Sequence, residues 1–495
     1  MKPNSFSLRL VLFSYISLLS FLHFPHAITA TALRQGGTPP VSEGPTVRKE
    51  ERWPLEVSEF GEVSAVKISD GENGCHHLHF ITMDPNSFFV PVHLYSQMVF
   101  YVNSGSGTLN WINIEEDDDK LQTVKLQKGD VYRLQPQTIF YLQNDIHYNN
   151  PQKLEIYAIF SASSYELKNG LFAKAYASIQ DLILGFDDRV LRSALRVPEE
   201  VIGELRAGTQ SLIVQGQPET NTSMWEVGSR AMIRAFLGTK NINGVFEVEN
   251  GKKKAYNILK EDHDIENCYG WSSTVTSKQL KVLKDSDFGV LMVNLTKGVT
   301  LGPHWNPNGD EVAIVLRGQG MVTVVCPTIN DQTVCKNSRF RVAEGDVFVV
   351  RKYHPMAQIS CNDGSFVFIV FTIASKNNYP QYLAGKSSIL RMLGKNVLAK
   401  SFNVRNTTID RVLSSQRELA IFECTSCAEE EEAGMEREDR GGGGGGRRRQ
   451  AAEREGEIAR REEEEMRRRQ REEEEAAGKG RVAEGEGGSY GHGIQ

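Results

Sequence analysis

The chain has 495 residues, 40% of them apolar and 24% charged, a globular composition long enough for about two to four domains. Its net charge of −6 resides in the last stretch: from Ala428 onward there are 20 acids and 14 bases, which leaves the remaining residues balanced at 43 of each. A neutral body lacks the basic footprint that phosphate binding needs, so nucleic acid is excluded as a main partner.

Residues 1–32 read as a cleaved secretory signal. Lys2 and Arg9 lie at the start of an apolar run, Leu10–Phe24, which is followed by Ala30-Thr31-Ala32. The run carries Ser14, Ser17, Ser20 and His23 and is too short for a spanning helix. No other long apolar stretch follows, so no membrane is expected after cleavage. Residues 33–52 are polar, with Gly and Pro, and read as a flexible linker.

The rest of the chain repeats itself. Gly129-Asp130-Val131 recurs as Gly345-Asp346-Val347, 216 residues on. Val190-Leu191, Val197, Ile202 and Leu212 recur as Val397-Leu398, Val404, Ile409 and Leu419, 207 residues on. So long a period implies a duplicated domain, because solenoid repeats run about 20–50 residues. The halves fall at 53–215 and 225–427. Each begins with short β runs between turns: Phe88–Val92, Met98–Val102, Thr108–Ile114, Val131–Leu134 and Ile156–Phe160 in the first, and Val290 to Phe371 in the second. A helical segment then follows. Phe172, Ala175, Ile179, Leu182, Ile183, Phe186 and Val190 form one apolar stripe, and Pro198-Glu199-Glu200 opens a further helix. The second half matches this with helices from about Tyr382 to Leu413. Such stripes need a covering surface, either their own barrel or another subunit. If the latter, a charge at Ile409 or Leu413 is expected to break the assembly.

Residues 428–495 hold six consecutive glycines, Gly441–Gly446, and Glu/Arg blocks with almost no large apolar residues. They cannot bury a core and are expected to be disordered.

The segment Gly298-Val-Thr-Leu-Gly-Pro-His304-Trp-Asn306-Pro-Asn-Gly-Asp-Glu311 through Gly318 is the most informative. His304 and Asn306 share a strand face, and Glu311 opens the next strand. His354 follows in Gly345-Asp-Val-Phe-Val-Val-Arg-Lys-Tyr-His354-Pro-Met-Ala. Two imidazoles and a carboxylate inside a barrel are candidate ligands for a divalent metal such as Cu, Zn, Mn or Fe. The first half has lost such a set. His93 replaces Trp305 or Asn306, Met98 replaces Glu311 and Thr138 replaces His354, so that barrel is expected to be structural.

The spacing resembles the first motif of the cupin superfamily, with Asn306 where a second His usually stands. The resemblance implies an all-β fold with helical arms: two tandem cupin (jelly-roll) β-barrels, each followed by an α-helical extension. In metal-binding cupins such as the germins, the last His stands where this chain has Met356, and His354 is two residues early. Val99–Gly107, Pro303–Pro307, Gly345–Val350, His354–Gln358 and Cys424–Glu432 together resemble the vicilin-like seed storage proteins, plant 7S globulins, over about residues 53–432. What this implies is a non-catalytic nutrient reservoir. It would be a homotrimer joined through the helical arms and delivered by the secretory pathway to protein storage vacuoles, or outside the cell. Retention of His304 and Glu311 keeps two alternatives in view: a secreted small-ligand or sugar-binding bicupin, and a germin-like metal oxidoreductase.

Seven cysteines in a secreted chain imply disulfides. Cys326 and Cys335 flank a turn-rich loop between two strands and are expected to pair. Cys424 and Cys427 suggest a local or inter-subunit bond, since a redox motif would need a βαβ context that the sequence lacks. Cys75, Cys268 and Cys361 take no assigned partner. Of the sequons at Asn221, Asn294 and Asn406, the first and last are expected to carry glycans, and Asn294 is not because it lies in an apolar strand run.

Overall fold

The computed structural model describes residues 39–434 except 43, 70–74, 114–120, 145–150, 162–174, 209–210, 217–254, 287, 328–335, 374–378 and 431–432. The expected signal, Asn221 and nearly all of the Glu/Arg-rich tail lie outside the described residues. The chain forms two compact units, Met1–Ala428 and Glu429–Gln495.

The first unit contains two barrels, each made of two sheets that are antiparallel apart from the parallel pairing of Val41–Ser42 with Gly61–Ser69. In the first barrel one sheet runs Val41–Ser42, Gly61–Ser69, Cys75–Met83, Leu154–Phe160, Met98–Ser104, Asp130–Leu134 and Tyr256–Asn257, with Trp53–Ser58 on Gly61–Ser69. The opposing sheet runs Tyr176–Ser178, Ser87–Leu94, Thr138–Gln143, Ser106–Asn113 and Gln122–Gln127, with Ile213–Gln215 on Ser87–Leu94. The second barrel repeats this. Its first sheet runs Ile265–Asn267, Gly270–Val275, Phe288–Leu295, Phe366–Ile373, Asp310–Arg317, Val347–Val350 and Thr46–Val47. Its other sheet runs Ser338–Ala343, Gln319–Val324, Met356–Ser360, Val299–Trp305 and Gln381–Tyr382, with Ile421–Glu423 on Val299–Trp305.

Strand period explains the seam between the barrels. In Met98–Ser104 the even residues Met98, Phe100 and Val102 fill the first barrel, while Val99 and Tyr101 face the second. In Phe288–Leu295, Leu291, Val293 and Leu295 fill the second barrel, while Val290 and Met292 meet the seam. Strands buried on both faces read as continuous apolar runs rather than alternating ones.

Each barrel borrows an edge strand from the other half. Thr46–Val47 pairs with Val347–Val350, and Tyr256–Asn257 pairs with Asp130–Leu134. Both borrowed segments grip the repeated Gly-Asp turn. Asn257 Nδ2 donates to Asp130 Oδ1 at 2.7 Å, and Arg48 pairs with Asp346. Arg52 donates to the Gly345 carbonyl, and its guanidinium carbon lies 3.4 Å from the Phe80 ring centre. The stretch read as a flexible linker is therefore pinned from Val41 onward. The side chains of Arg48 and Arg52 serve as partners for a turn carboxylate and a turn carbonyl.

The arms also differ from expectation. The stripe around Ile179 is not one helix. Tyr176–Ser178 is a strand, and helices Ile179–Leu184 and Asp188–Leu195 follow with a break between them. Ser178 caps the first helix by accepting from Asp181 N at 3.0 Å, and Asp187 caps the second by accepting from Arg189 N and Val190 N. Pro198 stands just before Glu199–Ala207, as the sequence suggests. Arg206 ties this hairpin together through Asp188 Oδ1 and the carbonyls of Leu184 and Phe186. In the second arm, helices Lys395–Phe402 and Asn406–Ser415 enclose Leu398, Ala399 and Ile409, with Leu390 and Leu413 beside them. Ile409 thus lies in the arm's own core, and charging it would unfold the arm rather than probe docking. The unshielded apolar side chains are others: Phe186 and Val190 on the first arm, and Met392, Val397, Phe402 and Val412 on the second.

Candidate functional site

The strand Val299–Trp305 starts at Gly298, whose φ of +65° is a left-handed turn that glycine adopts without penalty. A register irregularity between Leu301 and His304 re-aims the end of this strand into the barrel. His304 is buried, and its Nδ1–H donates to the Gly302 carbonyl at 2.8 Å. That bond fixes the tautomer and leaves Nε2 as the lone-pair nitrogen. Burial pulls the imidazole pKa down to about 4, so the ring is neutral near neutral pH.

Asn306 and Glu311 are buried too, and Asn306 Nδ2 donates to the Glu311 carboxyl. Burial pushes the Glu311 pKa up to about 7, against the smaller downward pull of that hydrogen bond. Tyr382 pairs with His304 in the sheet, its ring centre 5.5 Å from the imidazole. Its hydroxyl is held well above the usual range by burial and then by Glu311. Glu311 Oε2, Asn306 Oδ1 and both polar atoms of buried Gln358 have no hydrogen-bond partner among the described residues.

His354 does not join this group. Met356, the first residue of its strand, is the direct partner of His304, so an apolar thioether stands where a third ligand would be needed. His354 precedes that strand in a turn, and its Nδ1 donates to the Lys352 carbonyl at 3.0 Å. Among the described residues, no group of three His, Cys, Asp or Glu side chains could hold a metal ion. The expected triad of His304, Glu311 and His354 is therefore not assembled. Asn306 spends its amide on the carboxylate, and the third imidazole is two residues out of place.

The first barrel settles the alignment left open in sequence. Ile213 pairs with Phe89 as Ile421 pairs with Leu301. Three residues on, Val92, His93 and Leu94 therefore occupy the places of His304, Trp305 and Asn306. Met98 pairs with Phe160 as Glu311 pairs with Thr372, so a thioether replaces the carboxyl. Thr138 occupies the place of His354. Sequence reasoning missed a different polar cluster here. Buried His79 lies with Nδ1 3.2 Å from the Tyr176 hydroxyl, and buried Glu56 accepts from the Leu212 amide. Burial and then the Glu56 charge raise the Tyr176 hydroxyl. No motif marks these residues. Only the density of histidines in Cys75-His-His-Leu-His79 could have drawn attention to them.

Cys424 and Cys427 form a local disulfide. Cys326 is disulfide-bonded, and its expected partner Cys335 lies outside the described residues. Cys75 and Cys268 are free thiols, and Cys361 is buried. Asn406 is exposed at the start of its helix and donates to Asn396 Oδ1 at 2.7 Å, whereas Asn294 is half-buried in its strand.

Comparison with known proteins places this geometry. A Cupin family profile matches residues 256–410. The hazelnut vicilin structure from Corylus avellana superimposes with a TM-score of 0.62 at 21% identity, covering 76% of this chain and 98% of that one. A vicilin-like seed storage protein of Arabidopsis thaliana is 42% identical over 411 residues, covering 78% of this chain and 76% of that protein. The chain belongs to the vicilin-like seed storage proteins. A second Arabidopsis thaliana vicilin-like seed storage protein is 45% identical over 400 residues, 78% of this chain, and the match spans about half (54%) of that protein's length. The two barrels, the seam and the arms are thus the bicupin fold of this vicilin-like family.

Proposed function

We propose that this chain is a seed nutrient reservoir of the vicilin type and not an enzyme. The observation that carries this reading is the chemistry of the two interiors within a family of storage globulins. Val92, Leu94 and Met98 make the first apolar where the second has His304, Asn306 and Glu311. In the second, the His304 ring and the Glu311 carboxyl are held by Gly302 and Asn306 rather than converging with a third ligand. Immunoblots of maturing and germinating seed test it: abundance should rise through maturation and fall during germination. A constant low level in seed would refute the reading.

The arms support assembly as a homotrimer. Phe186 on the first arm and Phe402 and Val412 on the second are 57%, 60% and 60% exposed, so each arm presents large apolar groups that a partner could cover. Light scattering of the full chain carrying Phe402→Glu and Val412→Glu should report monomers where the wild type reports trimers. Unchanged mass in that variant would refute docking through the arms. The secretory signal, the storage vacuole as destination and glycans on Asn221 and Asn406 belong to the same reading.

A second reading is favoured by the unpartnered atoms Glu311 Oε2, Asn306 Oδ1 and the Gln358 amide. They suit a small polar ligand such as a sugar, or a weakly held divalent ion (Cu, Zn or Mn) using His304 and Glu311 as donors. Metal content per chain, with His304→Ala as control, decides the ion: stoichiometric metal lost in the variant supports it, and trace metal in both refutes it.

A further inference from the structure

We propose that the Cys424–Cys427 disulfide is a thiol–disulfide exchange site, open to neutral small thiols and basic-faced protein dithiols while the rest of the fold stays intact. The pair has no βαβ context, and what the structure supplies instead is access. The strand Ile421–Glu423 runs directly into Cys424, and residues 425–428 are helical, so the pair sits at a strand-to-helix junction.

Access separates Cys424 and Cys427 from Cys326. Cys424 and Cys427 are both half-buried, and Thr425 and Ser426 between them are exposed. Cys326 is only 6% exposed. Exposed disulfides are the ones that exchange, because the attacking thiolate must reach a sulfur along the S–S axis.

The backbone around the pair does not depend on the bond. Ile421 and Phe422 are paired with Leu301 and Thr300. The Cys424 amide donates to the Gly298 carbonyl at 2.8 Å, and the Ala428 amide to the Cys424 carbonyl at 3.0 Å. The two sulfurs therefore stay neighbours after reduction, on α-carbons 5.1 Å apart, and the bond can re-form.

The chemistry balances as two exchanges. A thiolate attacks one cysteine sulfur, forming a mixed disulfide and releasing the other cysteine as thiolate. A second thiolate attacks the mixed disulfide and leaves as the oxidised reductant, so two electrons pass to the protein and both cysteines end as thiols. Charge selects the reductant. Glu423, next to Cys424, is exposed. Its carboxylate repels an anionic thiol such as glutathione, which favours a neutral or basic-faced dithiol.

Full-length protein is exposed to dithiothreitol or to glutathione under native conditions, quenched by alkylation, and mapped by peptide mass spectrometry. Cys424 and Cys427 should become alkylated about tenfold faster than Cys326, with unchanged far-UV circular dichroism and recovery on reoxidation. Dithiothreitol should outpace glutathione, and added salt should narrow that gap. Reaction of Cys326 at the same rate or faster, or labelling of Cys424 and Cys427 only as the dichroism is lost, would overturn the proposal. In Cys427→Ser, the remaining Cys424 should form a mixed disulfide with a neutral aromatic disulfide in the folded protein. Failure to react there also overturns it.

Discussion

Replacing Glu311 by Gln isolates the energetic cost of a carboxyl inside the second barrel. Burial raises its pKa from 4.5 to about 7. Below pH 4.5 the group is protonated in both folded and unfolded chains, and ionisation has no effect on stability. Between 4.5 and 7 the unfolded chain loses its proton while the folded one keeps it, so stability falls as pH rises. Above 7 the full cost applies. At 1.36 kcal/mol per pKa unit, this shift of about 2.5 units is worth about 3 kcal/mol. Glutamine has nearly the same shape, and its Oε1 still accepts from Asn306 Nδ2. The variant should therefore be stabilised at pH 8 and match the wild type at pH 4. For a cooperative unit of about 400 residues, at about 2.1 cal/mol/K of unfolding entropy per residue, the gain corresponds to about 3–4 °C in Tm at pH 8. Calorimetry of both proteins at pH 4, 6 and 8 measures this, and effects of the other titrating groups cancel in the difference. An equal Tm difference at pH 4 and pH 8 would show that Glu311 is not held protonated by its surroundings.

Three further perturbations follow from other features. His77 is buried with Nε2 unpartnered among the described residues, and burial, then Lys67 and His76, pull its pKa from 6.5 to about 4. Its neutral form is favoured by the fold, so stability is complete above pH 6.5 and lost as pH falls towards 4; His77→Leu should remove up to about 3 kcal/mol of that acid loss, read as a flatter Tm against pH. Arg52→Ala deletes the bond to Gly345 and the contact with Phe80, and should cost about 2 kcal/mol in urea unfolding; a change below about 0.5 kcal/mol would mean the borrowed segment contributes nothing. Gly318 has φ +74°, and a Cβ there would lie 1.9 Å from the Ser365 carbonyl oxygen, whereas nothing lies within 4 Å of one at Gly364. Gly318→Ala should destabilise the fold by upwards of about 2 kcal/mol, read as a lower Tm, and Gly364→Ala should be near neutral.

The duplicated fold was legible because it rests on local, repeated signals. The Gly-Asp turn recurs 216 residues on, the run from Gly298 to Gly318 carries its own turn and strand signals, and the turns, bulges and strand period they demand are the fold itself. What sequence did not reveal depends on distant partners. Residues 46–52 look like linker because their polar side chains pair with Asp346 and Gly345, almost 300 positions away. The arm stripe looked continuous because caps at Ser178 and Asp187 interrupt helices without breaking apolar spacing. At the site, strand parity correctly placed His304, Asn306 and Glu311 inside. Parity could not show that Met356 rather than His354 faces His304, because that follows from where the Arg351–Pro355 turn ends and the strand begins. The His79–Tyr176–Glu56 cluster was invisible because its members come from three separated segments and match no spacing rule.

The exchange of edge strands has a consequence for how the protein can be divided. A chain severed between residues 216 and 255 yields two pieces that each carry a strand belonging to the neighbour's sheet: Thr46–Val47 goes with the front piece and Tyr256–Asn257 with the rear. Either piece alone presents a raw sheet margin and a seam stripped of cover, and would be prone to clump. Produced together, the pieces hold complementary hooks and should re-knit into one body, so nicking in that interval need not release either half.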